Sequence, residues 1–262
     1  MNRLLWLFLA GLATFSAAAQ AAMQAEPLAY QIDGEPYEGL LVYDDAVKGA
    51  RPGLLMVPNW LGVTAAAAEQ AKLIAGQRYV IFVADLYGKA IRPSSPAEAK
   101  EAATFVRGDR PLMRKRAQAA VEVLQKQDKV PLAAGQLGAI GFCFGGGSVL
   151  ELARSGAPLK GFVSFHGNLD TPDPADARNI KAPVLVLHGA DDPAVPPAQV
   201  EAFVAEMTAA KADWQLVSYG NAVHSFTDPD AKVPGSNEYN PRVARRAYQA
   251  MNDLFDEVFA AD

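Results

Sequence analysis

Gly141-Phe142-Cys143-Phe144-Gly145 follows an apolar run, Leu137 to Ile140, and opens into Gly146-Gly147-Ser148-Val149-Leu150. The pattern is a G-x-S-x-G nucleophile elbow with cysteine in place of serine. Such an elbow needs small residues on both sides, because the nucleophile sits on a strained strand-to-helix turn where a neighbouring β-carbon would collide with the crossing backbone. Glycines hold both flanking positions. The turn would lift the sulfur above a sheet, aim a helix N-terminus at it and favour the thiolate. The alternative is a buried cysteine in a tight turn, so the case for Cys143 as a nucleophile depends on its partners.

Two loops downstream supply them. After the apolar run Pro183 to Leu187 comes His188-Gly189-Ala190-Asp191-Asp192-Pro193-Ala194-Val195-Pro196, where a carboxylate could orient an imidazole. Asp192, just before the Pro-x-Val-Pro turn, is preferred to Asp191; an Asx turn or a helix cap is the competing use. After Trp214 to Tyr219 comes Gly220-Asn221-Ala222-Val223-His224-Ser225-Phe226, which places His224 where a general base belongs. The chain order nucleophile, acid, histidine is that of the α/β hydrolases. His224 would then take the proton of Cys143, Asp192 would fix the imidazole tautomer, and the thiolate would attack an ester or lactone carbonyl. The N–H of Phe144 is the first oxyanion donor to expect, and a second belongs in Asn59-Trp60-Leu61-Gly62. Of the other two histidines, His166 either lines the pocket or is held by backbone, and His188 is expected to be hydrogen-bonded beneath the acid loop. None of the short ligand spacings of zinc motifs occurs, so neither a metal nor another cofactor is expected.

These loops need a sheet to carry them. Strands are expected at Glu38 to Tyr43, Gly53 to Val57, Tyr79 to Ala84, Gln136 to Ile140, Gly161 to Phe165, Pro183 to Leu187 and Trp214 to Tyr219. Helices are expected from Thr64 to about Ala75, from Ser95-Pro96 through about Phe105, from Arg110-Pro111 to near Gln127, after the elbow, from Pro197 to about Ala210 and from Pro241 to Phe259. Val184-Leu185-Val186-Leu187 lacks polar alternation, as in a strand covered on both faces. The fold class is therefore α/β, an α/β-hydrolase fold with a mostly parallel central sheet and helices on both faces, and function belongs at the strand C-terminal ends.

Arg3, the apolar stretch Leu4 to Phe15 and the small-residue run Ser16 to Ala22 read as a secretory signal peptide over residues 1–22, too short to span a bilayer. Residues 23–262 then form a single domain, expected to be periplasmic, monomeric and without a stable membrane anchor. Net charge is −5 with acids and bases interspersed, which gives no electrostatic footprint for nucleic acid and leaves a small molecule as the partner. The composition holds one cysteine. An unpaired thiol sent to an oxidising compartment is best understood if it does chemistry.

Through Val57-Pro58-Asn59-Trp60-Leu61-Gly62-Val63, Ala84-Asp85-Leu86-Tyr87-Gly88, the elbow, the Asp192 loop and His224-Ser225-Phe226, the chain resembles the dienelactone hydrolase family. The resemblance implies a Cys143, Asp192, His224 triad and an oxyanion hole from the N–H groups of Trp60 and Phe144. It also implies departures: Asn59 stands where the best-known members carry a glutamate, and Lys89 and Asp228 stand where they grip a substrate carboxylate with two arginines. Asn59, Lys89 and His166 are the remaining candidates for contact with substrate, and an ester or lactone other than dienelactone is expected. A non-catalytic ligand-binding protein on the same scaffold is the competing reading. The polar segment Thr227 to Asn240 is either a lid or a solvated surface loop.

Overall fold

The computed structural model describes residues 23–260, so the expected signal peptide lies outside the described residues. The chain begins with a hairpin of β1 (Met23–Ile32) and β2 (Glu35–Asp44), then β3 (Arg51–Val57), α1 (Ala65–Ala75), β4 (Val80–Val83), α2 (Pro96–Gly108) and α3 (Arg110–Lys126). It continues with β5 (Leu132–Phe142), α4 (Phe144–Arg154), β6 (Phe162–Phe165), a 3-10 turn at Pro174–Asn179, β7 (Val184–Gly189), α5 (Pro197–Ala210) and β8 (Trp214–Tyr219). A small hairpin of β9 (Lys232–Val233) and β10 (Asn237–Glu238) precedes α6 (Pro241–Ala260).

The eight-stranded sheet has the order β1-β2-β4-β3-β5-β6-β7-β8. From β4 to β8 every pairing is parallel, while β1 with β2 and β2 with β4 are antiparallel. The expected mixed α/β class and its covered, parallel strands are what the chain forms. β1 is an addition to the expected strands. Its polar, proline-containing sequence hides it, yet Asp33 and Gly34, with φ of 53° and 84°, form the tight turn that an Asp-Gly pair specifies.

Strand alternation sends neighbours into two cores. Leu55, Val57, Phe82, Phe162 and Val186 face α2, α3, α4 and α5, whereas Leu54, Met56, Ile81, Val163 and Leu187 face α1 and α6. The Thr64 side chain caps α1 by accepting from the Ala67 N–H, and Ser95 and Asp109 cap α2 and α3 in the same way.

All eleven residues of α4 are buried. Its C-terminal end is held by Arg154, whose Nε and Nη2 donate to Glu206 of α5 at 2.7 and 2.9 Å and whose Nη1 donates to Glu151 at 3.0 Å. A guanidinium so deeply buried depends on its carboxylates. Glu206→Ala is expected to destabilise the fold by about 3 kcal/mol, seen as a drop in Tm of roughly 6 to 12 °C, because it strands Arg154 away from water. An unchanged Tm would show the pair to be dispensable.

Candidate active site

Cys143 occupies the turn between β5 and α4 with φ 54° and ψ −117°, a region that a residue with a β-carbon adopts only when its surroundings enforce it. Cys143 N–H donates to Phe165 O at 3.0 Å, and Cys143 O accepts from Gly146 at 3.0 Å. A β-carbon at Gly145 would overlap the carbonyl oxygen of Val57, and one at Gly141 would overlap that of Gly145. Gly145 is therefore required by the crossing of β3 and α4, and Gly141 by the tight turn of β5 into α4.

His224 lies in the loop after β8, and its Nδ1 is 2.8 Å from Asp192 Oδ2 in the loop after β7. Asp192 is buried and its Oδ1 accepts from Ala194 N–H at 2.8 Å, whereas Asp191 is exposed. The ambiguity between the two aspartates is thus resolved by the turn: the residue before the Pro-x-Val-Pro segment points inward. The His224 imidazole and the Cys143 thiol also act on each other's ionisation. Burial disfavours its charge, but Asp192 and the sulfur override that and raise its pKa to about 10. Burial likewise pushes the thiol up, and the His224 hydrogen bond and charge, the Phe144 N–H and the Arg107 charge outweigh it, so the thiol is held below its ordinary value.

Phe144 N–H, the first amide of α4, points at the sulfur. Trp60 is half-buried in the loop after β3; its carbonyl accepts from Tyr87 OH at 2.9 Å, while its own N–H has no acceptor among the described residues. Tyr87 packs against Phe144 with ring centroids 5.6 Å apart. Beneath this loop buried Asp85 accepts from the Tyr87 and Gly88 N–H groups and pairs with Arg92 at 3.0 Å.

A cavity of about 330 Å³ is lined among others by Asn59, Phe142, His166, Thr227, Asp228 and Tyr248; it reaches the triad through Phe142 and Ser225, the chain neighbours of Cys143 and His224, and through His166. Asn59 Oδ1 accepts from Leu61 N–H at 3.0 Å, so its oxygen is committed to its own loop. His166 Nε2 is 2.8 Å from Thr227 Oγ1, and its ring meets that of His224 edge-on at 5.2 Å. Burial first, then the charge of His224, keeps His166 neutral. His188 is buried near the pair, but its Nδ1 finds no partner there. Lys89 is not brought to the cavity: its Nζ turns to Glu38 of β2 at 2.7 Å.

The segment after His224 is anchored. His224 N–H donates to Ser236 O and Glu238 N–H donates to His224 O, both at 3.1 Å, so the turn before β10 and β10 itself grip the histidine's backbone while Thr227 to Asp230 and Tyr239 wall the cavity. Sequence reasoning missed this clamp, whose signal was the turn at Gly235. It also missed Arg107 of α2. Among the described residues no group of three or more His, Cys, Asp or Glu could hold a metal ion, and no helix is long and apolar enough to cross a membrane.

Sheet order, elbow and loop placement define the class: an α/β hydrolase whose elbow carries a cysteine. Residues 38–259 match the dienelactone hydrolase family, and the chain belongs to it. Membership makes it a hydrolase of ester or lactone bonds. Among solved structures, m3DLH is 39% identical with a TM-score of 0.84, covering 90% of this chain and 99% of its own. A dienelactone hydrolase-like promiscuous phosphotriesterase from metagenomic libraries is 38% identical with a TM-score of 0.84, over 90% of this chain and 99% of that one. A Salmonella typhimurium protein named among the carboxymethylenebutenolidases is 28% identical over 80% of this chain and 78% of its own.

Proposed function

We propose that the protein hydrolyses small carboxylic esters or lactones through a thioester on Cys143, with His224 as proton carrier, Asp192 as its orienting carboxylate and the N–H groups of Trp60 and Phe144 as oxyanion donors. The observation that carries this reading is the 2.8 Å contact of His224 Nδ1 with Asp192, on a ring whose charge is coupled to the elbow sulfur. The thiolate attacks the carbonyl carbon and the carbonyl electrons move onto oxygen, where two N–H groups meet the developing charge. Collapse breaks the bond to the leaving oxygen, which takes the proton of His224. The now neutral His224 removes a proton from water as that water attacks the thioester. Acid leaves, and thiolate and imidazolium are restored.

The cavity suits an uncharged acyl or alcohol part. Asp228 stands in its wall, Lys89 is turned away to Glu38, and no lysine or arginine lines it. Dienelactone, which carries a carboxylate, is accordingly not the substrate we propose. Neutral phosphotriesters are a second substrate class, favoured by a lining that holds carboxylates but no lysine or arginine, and by the activity named for the 38% identical relative. Export to the periplasm is part of the proposal and rests on the sequence of residues 1–22.

The test is to quench a reaction with a p-nitrophenyl ester and weigh the peptide containing Cys143. An acyl adduct on the sulfur, formed and lost at rates compatible with turnover, is expected; turnover without an adduct sinks the thioester, and saturable binding without turnover favours the ligand-binding scaffold. The pH profile has a sign. kcat/KM rises where the thiolate forms, below the ordinary thiol range, and falls again near pH 10 as His224 loses the proton it must donate.

A further inference from the structure

Several groups around Cys143 come from different elements. His224 comes from the loop after β8 with Asp192 behind it, Tyr87 from the loop after β4, and Arg107 from the last turn of α2. His166 stands edge-on to His224 and is neutral. Burial holds the Tyr87 hydroxyl in its neutral form. Arg107 is the cation here without an assigned task.

Its guanidinium carbon lies 6.0 Å from the centroid of the Phe144 ring, the residue whose N–H meets the sulfur. Its Nε is buried without an acceptor. No carboxylate among the described residues forms an ion pair with it, unlike its neighbours: Arg92 pairs with Asp85, Arg110 with Asp170, Arg114 with Asp176 and Arg154 with Glu206. A half-buried guanidinium loses hydration and needs a compensating negative charge. Stacking on Phe144 supplies only part of that compensation.

We propose that Arg107 is a positioning residue for charge: from α2, across the Phe144 ring, it supplies the fixed positive field that holds Cys143 as a thiolate alongside His224. The thiolate in turn is the anion that Arg107 otherwise lacks. This inference rests on the reading of Cys143 as nucleophile. It explains how a site with Asn59, an amide unable to carry charge, keeps its sulfur ionised: His224 gives a proton-dependent cation and Arg107 a permanent one. Arg107 bonds no substrate atom in this scheme, so its removal acts on ionisation rather than on affinity.

The test is the rate of inactivation by iodoacetamide, an uncharged reagent, against pH for the parent, Arg107→Gln and Arg107→Lys. In Arg107→Gln the acid limb of the profile is expected to move up by about 0.5 to 1 pH unit, with a roughly three- to tenfold slower reaction on that limb. Arg107→Lys should recover most of the shift. An Arg107→Gln profile that superimposes on the parent overturns the proposal, as does a lysine variant no better than glutamine. A raised KM for anionic esters with an unmoved profile also overturns it, because Arg107 would then be a substrate clamp. Should the glutamine variant not fold, the parent alone decides. The terminal nitrogens of Arg107 are open to solvent, so the acid limb should climb as salt rises from low to about 0.5 M, and a salt-independent limb refutes a fixed-charge role. A parent whose thiol reacts only in the ordinary range refutes the nucleophile reading itself, before any variant is compared.

Discussion

Replacing Cys143 by alanine is expected to lower kcat/KM for a short-chain aryl ester at least about a thousandfold while the protein stays folded. The sulfur is the atom that would form the covalent bond, and nothing else in the cavity wall can substitute: the Ser225 hydroxyl bonds Asn237 and the Thr227 hydroxyl bonds His166. His224→Ala should cost a similar factor, since it removes both the proton carrier and one of the charges that lower the thiol's pKa. Because residues acting as one unit do not add, the double variant should be hardly worse than either single one. Serine at position 143 should recover little, as the imidazolium stabilises a thiolate and an alkoxide lies far out of its range. Steady-state hydrolysis with circular dichroism on the same samples decides the matter. Activity within tenfold of the parent in either alanine variant would remove the triad.

The second large effect is structural. Gly145→Ala is expected to cost several kcal/mol and to yield little soluble protein, because its β-carbon would enter the space of the Val57 carbonyl oxygen and crowd that of Pro58. Those atoms are backbone, so no rotamer change relieves the clash. To fit the methyl, β3 and α4 must move apart, carrying the Trp60 loop away from Phe144. A variant that folds should therefore still lose turnover through the displaced oxyanion donors. Expression yield, Tm and residual hydrolysis together test this; a stable, active Gly145→Ala protein would show that α4 does not need so close an approach.

How much of this was readable in advance differs by element. The elbow was legible because its chemistry is local: two glycines and a cysteine after an apolar run leave few other conformations. Asp192 was legible because it follows β7, whose uninterrupted apolar residues mark it as covered on both faces, and His224 because it stands in the loop after the next strand, although that strand is the half-exposed edge β8. β1 was not, since an edge strand exposed along much of one side needs no apolar alternation, and only Asp33-Gly34 betrayed its turn. Arg107 was invisible for another reason. It sits thirty-six positions before the cysteine on a helix with ordinary amphipathic spacing, and its approach to Phe144 exists only once α2 packs on the sheet. Lys89 shows the converse. Its place in the motif suggested the cavity, but the nearby Glu38 on β2 offered a closer partner.

The grip of Ser236 and β10 on His224 has a bearing on how such a protein can change. One short stretch of chain both fixes the imidazole's main chain and forms a wall of the cavity, so inheritance cannot easily reshape what the enzyme accepts without disturbing how fast it works. Insertions or deletions between residues 228 and 236 would alter substrate choice and shift the histidine together. Single side-chain exchanges at Asp228 or Tyr239, which leave the two backbone bonds in place, are the narrow route by which preference can drift while the reaction persists.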